Sequence, residues 1–416
     1  MNINELYDIF LHSAGVCTDT RTLKKKQLFF ALKGENFDGN RFALQALEKG
    51  ASYAVAGEDL QAEDARLIKV PDTLETLKAL AAYHRSRLRI PVIGLTGTNG
   101  KTTTKELIRT ALGAAYRVTA TEGNLNNEIG VPLSVLKIGP RAQIAIIEMG
   151  ASHPDDLKPL LAVAQPNLGL ITNVGKAHLL GFGSFEGVKH AKGLLYDWLK
   201  EHDGVVFANG DDKVLEGMLA DRGLEAIQYS LEGIKVKATP FLEMDFGDAV
   251  LETRLVGAYN AANVLAALKL AWYFDVPTAD ALAAIASYVP SNNRSQLLKT
   301  EKNTVIIDAY NANPSSMAVA LDNLALVEGP KAALLGDMRE LGADSAAEHK
   351  KIVERLSGTA FLVGEEFTRA AEGTSFKTFA KSEDLAKYLT ENPLQGYTVL
   401  VKGSRGIQME KVIGAL

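Results

Sequence analysis

Short apolar runs alternate along this chain with longer stretches that have the periodicity of amphipathic helices. Each of eight runs is four or five residues long and mostly Val, Ile, Leu or Ala, which is typical of a buried strand. Most of them are followed by Gly, Asn or Asp, the residues of turns and helix caps. The pattern predicts an α/β fold with largely parallel sheets. The predicted strands are Pro91–Leu95, Ile144–Glu148, Leu168–Thr172, Val205–Ala208, Val305–Asp308, Ala332–Gly336, Ala360–Val363 and Thr398–Val401.

Two interruptions of this alternation divide the chain into three predicted domains. The first is Arg89-Ile90-Pro91, which follows a predicted helix at Thr73–Arg87 and looks like a linker. The second is Val289–Arg294, rich in Pro, Ser and Asn. The predicted domains are therefore 1–87, 88–293 and 294–416, which suits 416 residues at roughly 150 residues per domain.

Charge and cysteine content narrow the classes of function. The chain has 45 Lys and Arg against 50 Asp and Glu, a net charge of −5, so we expect no nucleic-acid partner. The single cysteine, Cys17, can form neither an intrachain disulfide nor a four-thiolate zinc site, as suits a cytoplasmic protein. The first residues include Glu5 and Asp8, unlike a signal peptide, and no apolar run reaches about 18 residues. We expect a cytoplasmic protein without membrane insertion.

A candidate phosphate-binding loop, TGTNGKTT at Thr96–Thr103, lies between the strand PVIGL and the helical pattern KELIRTAL. Its glycines let backbone N–H groups turn toward a polyanion, and the following helix adds its positive N-terminal end. Lys101 is expected to reach the β- and γ-phosphates and Thr102 to ligate Mg²⁺. Leu95 stands where the general pattern has a glycine, so a plain glycine-rich turn is the alternative. The predicted nucleotide-binding residues of the loop are Gly97, Thr98, Asn99, Gly100, Lys101, Thr102 and Thr103.

A metal-binding carboxylate is expected at the end of a neighbouring strand, and Glu148 ends the run IAIIE. A carboxylate in this position is costly to bury unless it meets a cation. Taken with the loop, Glu148 predicts Mg²⁺, although a turn-capping glutamate is the alternative. The chain contains no Asn-Lys-x-Asp motif for reading guanine, so ATP is the expected nucleotide.

Further motifs in the same order along the chain resemble those of the Mur ligases, bacterial ATP-dependent ligases that build the peptide of the cell-wall precursor. The motifs span Asp19 to Arg405, and so nearly the whole chain. YNANPSSM, GDMRELG and VKGSRG point to the family member that adds a dipeptide. The quoted segments are Thr96–Thr103, Gly123–Pro132, Ile146–Ser152, Ile171–Leu179, His190–Gly193, Tyr310–Met317, Gly336–Gly342 and Val401–Gly406.

The resemblance implies a fold and a reaction. It implies an N-terminal domain for the uridine nucleotide, a central ATP-binding domain, and a Rossmann-like C-terminal domain that closes over both. The reaction joins D-alanyl-D-alanine to UDP-N-acetylmuramoyl-tripeptide through an acyl phosphate and releases ADP and phosphate. The chain would thus act in peptidoglycan biosynthesis, and we expect a monomer.

The resemblance also implies two Mg²⁺ ions and a modified lysine. Thr102 and Glu148 match the first metal site, and His178 matches a histidine at the second. Lys192 matches a lysine that the family carries as a carbamate, which also binds metal. Leu194 stands where the family usually has an acidic residue, which puts a local contact in question. The predicted catalytic residues are Lys101, Glu148, His178 and Lys192.

For ATP, the resemblance implies contacts from Asn260 and Asn263 near the base, from Arg294 to the phosphates, and from Asp308 to the ribose. The spacing of the two asparagines puts them on one face of a helix. A capping asparagine beside a solvated one is the alternative.

For the other substrates the implied residues are mainly polar. Asn124, Asn126 and Asn127 resemble the loop that grips the muramoyl-peptide, with a solvated turn as the alternative. Thr20 and Arg21 resemble a motif near the uridine diphosphate, but Asn40 stands where a histidine is usual. Asn313-Pro314 predicts a helix start, so Asn311 and Asn313 are expected near D-alanyl-D-alanine. Lys402 and Arg405 are further candidates for the same site.

Other functions stay open from sequence. Another Mur step or a folate-polyglutamylating ligase is the nearest rival, and a non-catalytic nucleotide-binding regulator is the rival of another class. The sequence does not show whether the third residue of the tripeptide is lysine or diaminopimelate. It also does not identify the base that accepts the proton of the amine.

Overall fold

Three sheets, each predominantly or wholly parallel and covered by helices, follow one another along the chain in a computed structural model. The structure describes residues 2–34, 37–290, 294 and 296–416. The predicted α/β class is confirmed. Residues 291–293, which belong to the second predicted interdomain break, lie outside the described residues. The domain boundaries at 87/88 and 293/294 both stay predictions.

The N-terminal sheet has four parallel strands in the order β1-β2-β5-β6 and a separate two-stranded hairpin, β3-β4. The predicted helix Thr73–Arg87 is confirmed at both ends; Asp72 caps it by accepting hydrogen bonds from the backbone N–H groups of Leu74 and Glu75. The described elements are α1 Ile3–Leu11, β1 Val16–Cys17, β2 Leu28–Phe30, β3 Lys33–Gly34, β4 Phe37–Asp38, α2 Ala43–Glu48, β5 Tyr53–Gly57, β6 Leu67–Val70 and α3 Thr73–Arg87, with a 3₁₀ turn at Gly39–Phe42.

Helix α3 joins the N-terminal sheet to the central one. Its buried Leu77 and Leu80 belong to an apolar core that also contains Phe30 from the first sheet and Leu160 from the central region. Because this core is continuous, the N-terminal unit is anchored to the central one through packing and not only through its linker.

The central sheet has six parallel strands in the order β12-β11-β10-β7-β9-β8. Strand β7 lies between β10 and β9, so three strands bring their carboxyl ends to one edge, where ligands of open α/β sheets bind. The elements are β7 Val92–Thr96, α4 Lys101–Leu112, β8 Val118–Ala120, α5 Gly130–Leu136, β9 Ile144–Glu148, α6 Leu157–Ala164, β10 Leu168–Ile171, α7 Leu179–Phe182, α8 Phe185–Glu201, β11 Val205–Asn209, α9 Lys213–Ala220 and β12 Ile227–Tyr229.

An antiparallel sheet and two helices complete the central region. The sheet, in the order β13-β14-β15, was not among the predicted strands, because its half-exposed strands carry charged residues between apolar ones. Helix α10 packs on α4, the helix that follows the glycine loop. The elements are β13 Lys235–Ala238, β14 Phe241–Asp245, β15 Val250–Val256, α10 Asn260–Tyr273 and α11 Thr278–Ser287.

The C-terminal sheet has the order β16-β17-β21-β18-β19-β20, and only β16 runs antiparallel to its neighbour. Its elements are β16 Gln296–Lys299, β17 Thr304–Asp308, α12 Pro314–Leu326, β18 Lys331–Gly336, α13 Ser345–Glu354, β19 Thr359–Val363, α14 Glu365–Ala370, β20 Lys377–Phe379, α15 Ser382–Glu391 and β21 Thr398–Lys402, with 3₁₀ turns at Gly342–Asp344, Arg405–Ile407 and Met409–Ala415.

Among the described residues, no helix has both the length and the apolar character needed to cross a bilayer.

Candidate functional site

The glycine loop connects β7, which ends at Thr96, to α4, which begins at Lys101. Gly97 has a φ of 142°, and a Cβ there would lie 2.0 Å from Thr172 Oγ1. Gly100 has a φ of 77° immediately before the helix. Both positions therefore need glycine, one for close approach and one for backbone conformation. The sequence context predicted for a phosphate-binding loop is confirmed as strand, loop and helix.

Lys101 folds back over this loop. Its Nζ donates hydrogen bonds to the carbonyl oxygens of Gly97 at 2.7 Å and Thr98 at 3.0 Å. Burial lowers the pKa of Lys101 to about 8, and the positive charge of Arg294 acts in the same direction. An anion in the cavity would offset this cost of burying an ammonium group.

Glu148, at the end of β9, is 1% exposed and faces the start of α4. Its Oε1 accepts hydrogen bonds from Thr102 Oγ1 at 3.2 Å and Asn126 Nδ2 at 2.8 Å. Its Oε2 is buried and has no hydrogen-bond partner. A buried carboxylate oxygen left without a donor is an acceptor available to a cation.

A second buried lysine, Lys105, lies behind this carboxylate and was missed from sequence. Its Nζ donates to the carbonyl oxygen of Thr121 at 2.5 Å and lies 3.8 Å from Glu148 Oε2. The signal was available, because Lys105 follows Lys101 by one helical turn and lies on the same face of α4. Lys105 partly balances the charge of Glu148.

A cavity of about 830 Å³ opens over the loop and is lined by both the central and the C-terminal regions. This volume lies within the usual range for small-molecule sites. The predicted residues that line it are Thr98, Asn99, Gly100, Lys101, Thr102, Thr103, Asn124, Asn126, Asn127, Glu148, His178, Asn260, Asn263, Arg294, Asp308, Asn311, Asn313 and Lys402. Five others do not form its wall, namely Gly97, Lys192, Thr20, Arg21 and Arg405.

Lys192, on α8, lies behind the cavity wall. Its Nζ donates to the carbonyl oxygen of Ala151, a cavity-lining residue, at 3.1 Å and sits 5.3 Å from the centre of the Phe182 ring. Burial holds the pKa of Lys192 well below its usual value, because an ammonium group is costly to remove from water.

His178 precedes the short helix α7 and has a left-handed backbone conformation, with a φ of 52°. Its Nδ1 forms a hydrogen bond with the carboxylate of Glu340, which the C-terminal region supplies. Burial lowers the pKa of His178, while the negative charge of Glu340 opposes the shift. Glu340 belongs to the motif GDMRELG, but the sequence analysis assigned no role to this residue.

Asn260 and Asn263 form a hydrogen-bonded pair on the first turn of α10. Asn263 Nδ2 donates to Asn260 Oδ1 at 2.9 Å, and Asn263 Oδ1 accepts from Thr104 Oγ1 at 3.0 Å. Both asparagines are buried, so the alternative of a solvated asparagine is wrong. They instead link α10 to α4 at the cavity wall.

Asp308 and Lys402 end two adjacent parallel strands, β17 and β21, and form an ion pair. Lys402 Nζ lies 2.5 Å from Asp308 Oδ2 and 3.1 Å from the carbonyl oxygen of Asn311. Nearby, the guanidinium of Arg294 stacks on Tyr310, 3.7 Å from the ring centre. Tyr310 was not predicted as a site residue, although it lies directly between predicted ones.

The asparagine-rich loop before α5 is held by its own side chains. Asn126 contacts Glu148, and Asn127 Oδ1 accepts from the backbone N–H of Gly130 at 2.9 Å, where α5 begins. Asn124 also faces the cavity. A merely solvated turn does not describe Asn126, because its amide binds a buried carboxylate.

The predicted helix start at Asn313-Pro314 is confirmed. Asn313 caps α12 by accepting from the backbone N–H of Ser316 at 2.8 Å, and Pro314 is the first helical residue. Asn313 Nδ2 also donates to Asn99 Oδ1 at 2.7 Å, which joins the glycine loop to the C-terminal region. Asn311 Oδ1 accepts from the N–H of Ala312.

Thr20 and Arg21 belong to the N-terminal unit. Arg21 is paired with Asp19 at 2.7 Å, and this contact helps to lower the pKa of Asp19 to about 2. Asn40 is buried and bonded to Asp59 Oδ1 and to the backbone N–H of Gly57. Asn40 therefore has a structural role in place of the contact usual for a histidine there.

Three family models match successive parts of this chain. They are the Mur ligase family catalytic domain at residues 12–85, the Mur ligase middle domain at 95–271, and the Mur ligase glutamate ligase domain at 293–405. A relative from Bacillus subtilis, named UDP-N-acetylmuramoyl-tripeptide–D-alanyl-D-alanine ligase, is 36% identical and aligns over 96% of this chain and 92% of its own length. The chain belongs to the Mur ligase family. The resemblance stated from its motifs is thus confirmed.

Solved structures of Mur ligases agree with the fold. A structure of MurF from Acinetobacter baumannii superposes with a TM-score of 0.86 at 27% identity, covering 99% of this chain and 98% of that one. MurF from Thermotoga maritima in complex with ADP gives a TM-score of 0.85 at 28% identity, covering 98% and 97%. The expectation of ATP as the nucleotide of this Mur ligase is supported by that complex.

The described residues of the site do not form a preassembled cluster of metal-binding side chains. Within the described part of the chain, no group of three or more His, Cys, Asp and Glu side chains is placed to hold a metal ion. This fits Mg²⁺, which proteins usually bind through one or two carboxylates together with substrate phosphates.

Proposed function

We propose that this chain joins D-alanyl-D-alanine to UDP-N-acetylmuramoyl-tripeptide at the expense of ATP, in peptidoglycan biosynthesis. The observation that carries the proposal is the shared cavity. The central region presents the glycine loop, Lys101 and an oxygen of Glu148 that accepts no hydrogen bond, and the C-terminal region presents the start of α12. A triphosphate, an acid and an amine can meet there.

A carboxylate is a poor acyl donor, because its leaving group would be oxide. In the first step a carboxylate oxygen of the tripeptide attacks the γ-phosphorus and the bond to ADP breaks, giving an acyl phosphate. In the second step the amine of the dipeptide attacks the carbonyl carbon, inorganic phosphate leaves, and the amine loses a proton. The phosphates bring several negative charges together in one place. Lys101 and the N–H groups at the start of α4 stabilise them there.

Mg²⁺ fits the residues present. The chemistry of the donor set suits a hard cation, and so does Glu148 Oε2, which accepts no hydrogen bond. Thr102 and Glu148 would hold the first ion, and His178 with a modified Lys192 would hold the second. When bound, the ions would neutralise part of the negative charge of the phosphates.

Carbamylation of Lys192 is chemically favoured by its surroundings. An amine reacts with carbon dioxide only in its neutral form, and burial lowers the pKa of Lys192 strongly. The product is an anion that would point toward the region of Ala151. Leu194 stands in place of the usual acidic residue. The contacts that Lys192 makes with Ala151 and Phe182 do not involve position 194.

We test the carbamate by exchange of the side chain. Lys192→Ala is expected to lose most activity and to regain part of it with short-chain carboxylic acids, which replace the missing anion. Lys189→Ala, at a partly exposed position of the same helix where the lysine pairs with Glu186, is the matched control: it should neither lose activity nor respond to added acid. Full activity of Lys192→Ala without added acid would remove this lysine from the site.

The nucleoside end of ATP is assigned to the side of the cavity formed by α10 and β17. Asn260, Asn263 and Asp308 supply amide and carboxylate groups there, and Arg294 supplies a charged, forked donor suited to phosphate. The Lys402–Asp308 ion pair fixes the carboxylate that is proposed to meet the ribose.

The remaining substrate residues are proposed from position. Asn124, Asn126 and Asn127 would bind the muramoyl-peptide beside Glu148, and Asn311 and Asn313 the dipeptide. Thr20 and Arg21 would bind the uridine diphosphate in the N-terminal unit. We also propose that the protein is a cytoplasmic monomer.

A two-substrate assay separates the proposed function from its rivals. ADP release should require both UDP-N-acetylmuramoyl-tripeptide and D-alanyl-D-alanine, and comparison of lysine and diaminopimelate tripeptides would define the third residue. Release with neither substrate would indicate a plain ATPase. Release only with a folate and glutamate would favour the folate-polyglutamylating rival.

A further inference from the structure

Two loops from different domains meet at the rim of the cavity. One follows β10 and contains His178, and the other follows β18 and contains Glu340. Both residues have left-handed backbones, with φ of 52° and 65°, although neither is glycine. Such conformations are strained for these residue types and persist only where the surroundings stabilise them. Here the two strained residues contact one another.

The contact involves backbone as well as side chains. His178 Nδ1 is hydrogen-bonded to the Glu340 carboxylate, and the N–H of Leu180 donates to the Glu340 carbonyl oxygen at 3.3 Å. Farther along, Lys176 pairs with Glu348 at 3.6 Å. The loops therefore dock through several polar contacts, of which only one touches the histidine ring.

The loop that carries Glu340 is firmly held within the C-terminal region. Fully buried His349 accepts from the N–H of Met338 through Nε2 at 3.0 Å. Asp337 accepts from the N–H of Phe367 at 2.8 Å, and the N–H of Arg339 donates to Ser404 Oγ at 2.9 Å. The position of Glu340 is thus set by the fold of its own domain.

The hydrogen bond to Nδ1 decides what the other nitrogen of the ring can do. With Nδ1–H donated to a carboxylate, Nε2 of a neutral imidazole is left as an acceptor, and His178 lines the cavity. Metal-binding histidines almost always have such an outer partner, which fixes their tautomer and orientation.

We propose that Glu340 is a positioning residue: it is brought by the C-terminal domain onto His178 Nδ1 and thereby turns Nε2 into the cavity as a cation ligand. This rests on the proposed function. One cation position is then complete only when the C-terminal domain is docked, because the residue that orients its histidine belongs to that domain.

Manganese binding followed by electron paramagnetic resonance tests the proposal. With a non-hydrolysable ATP analogue and UDP-N-acetylmuramoyl-tripeptide, the unaltered chain is expected to bind two Mn²⁺. Glu340→Asn should weaken the second ion by roughly ten- to hundredfold and leave the first unchanged, the size of effect usual for loss of an outer partner. Asparagine is chosen because it tolerates a left-handed backbone but is too short to make the same contact.

Two further variants separate orientation from simple domain contact. Glu340→Gln keeps an oxygen acceptor for Nδ1–H and should lose less affinity than Glu340→Asn. Glu348→Gln removes the Lys176 ion pair across the same interface and should keep both ions. If Glu348→Gln weakened the second ion as much as Glu340→Asn, the role would be docking in general, and the proposal would be wrong.

A second readout does not depend on metal. In protein labelled with ¹⁵N-histidine, the ring-nitrogen shifts of His178, assigned with His178→Asn, should report protonation at Nδ1 in the unaltered chain and a mixture of tautomers in Glu340→Asn. Unchanged shifts together with two tightly bound Mn²⁺ in Glu340→Asn would overturn the proposal. A single Mn²⁺ in the unaltered chain would overturn the metal assignment with it, whereas ADP release that ignores either substrate would overturn the proposed function itself.

Discussion

At the scale of single residues, Lys101 illustrates a conflict between stability and binding. Its ammonium group is held against two carbonyl oxygens in a largely buried position, and its pKa is lowered to about 8. Below pH 8 the folded protein therefore holds a charge that burial disfavours. In the unfolded chain the lysine stays protonated up to about pH 10.4, so this cost fades as the pH rises from 8 toward that value.

Replacement of this lysine should separate the two properties. Lys101→Met is expected to abolish ADP release while the substrate-free protein melts at the same or a higher temperature at pH 7. The stability difference from the unaltered chain should shrink between pH 8 and pH 10. Lys213→Met, at an exposed position, should change neither activity nor melting temperature. A strongly destabilised Lys101→Met would contradict this account.

His84 is a second titratable residue whose surroundings predict a pH dependence. Its ring is hydrogen-bonded to the carbonyl oxygen of Ile138 at 2.9 Å and to the hydroxyl of Tyr7 at 3.1 Å. Burial lowers the pKa of His84 below the usual 6.5. The folded state favours the neutral ring, so stability is complete above pH 6.5 and falls as the pH drops below it.

A neutral replacement should flatten this dependence. His84→Gln cannot take up the proton, so its loss of melting temperature between pH 7 and pH 5 should be smaller than that of the unaltered chain. His12→Gln, at an exposed position, should leave the slope unchanged. An equal slope in all three proteins would show that His84 does not contribute.

At the scale of elements, the apolar patterns predicted eight strands of the central and C-terminal sheets, which are confirmed, but no strand of the N-terminal sheet. Ile144–Glu148 is confirmed at both ends, and the ends of the other seven shift by one residue at most, because a buried parallel strand must be continuously apolar. The sheet formed by β13, β14 and β15 was not predictable in the same way. Its strands are partly exposed, and their stability comes from packing that no local pattern records.

The end of helix α6 depends on an arginine from another helix. Arg85, on α3, donates to the carbonyl oxygens of Ala164 at 3.0 Å and Gln165 at 2.8 Å, and also to its own helix end at Leu88. The last carbonyls of a helix have no partners within it, so a charged donor stabilises them.

Loss of this cap should be costly. Arg85→Met is expected to lower the free energy of unfolding by about 3 kcal/mol, because buried carbonyl groups lose charged donors. Arg87→Met, two residues later and exposed, should change it by less than about 0.5 kcal/mol. Urea denaturation measures both. Similar values for the two variants would show that Arg85 does not stabilise the end of α6.

At the scale of the whole molecule, sequence reasoning found most of the residues that line the cavity but not all the contacts across it. The glycine loop and Glu148 were predictable because each lies at the end of a strand whose carboxyl end must face the same edge, whereas the asparagines were expected only from the resemblance to the Mur ligases. Tyr310 and Glu340 were missed, since their roles arise from contacts with Arg294 and His178 elsewhere in the chain. Lys105 was missed although its spacing from Lys101 places it on the same face of α4. Lys192 was predicted within the site, yet it lies behind the wall, because its helix packs there.

The central claim is that ATP hands its terminal phosphoryl group to the carboxylate of the tripeptide. The most direct measurement uses UDP-N-acetylmuramoyl-tripeptide labelled with ¹⁸O in the reacting carboxylate, with mass analysis of the phosphate released on ligation. We predict one labelled oxygen in each inorganic phosphate, because the acyl phosphate breaks at the carbonyl carbon. Phosphate that carries no label while pentapeptide forms would contradict the account.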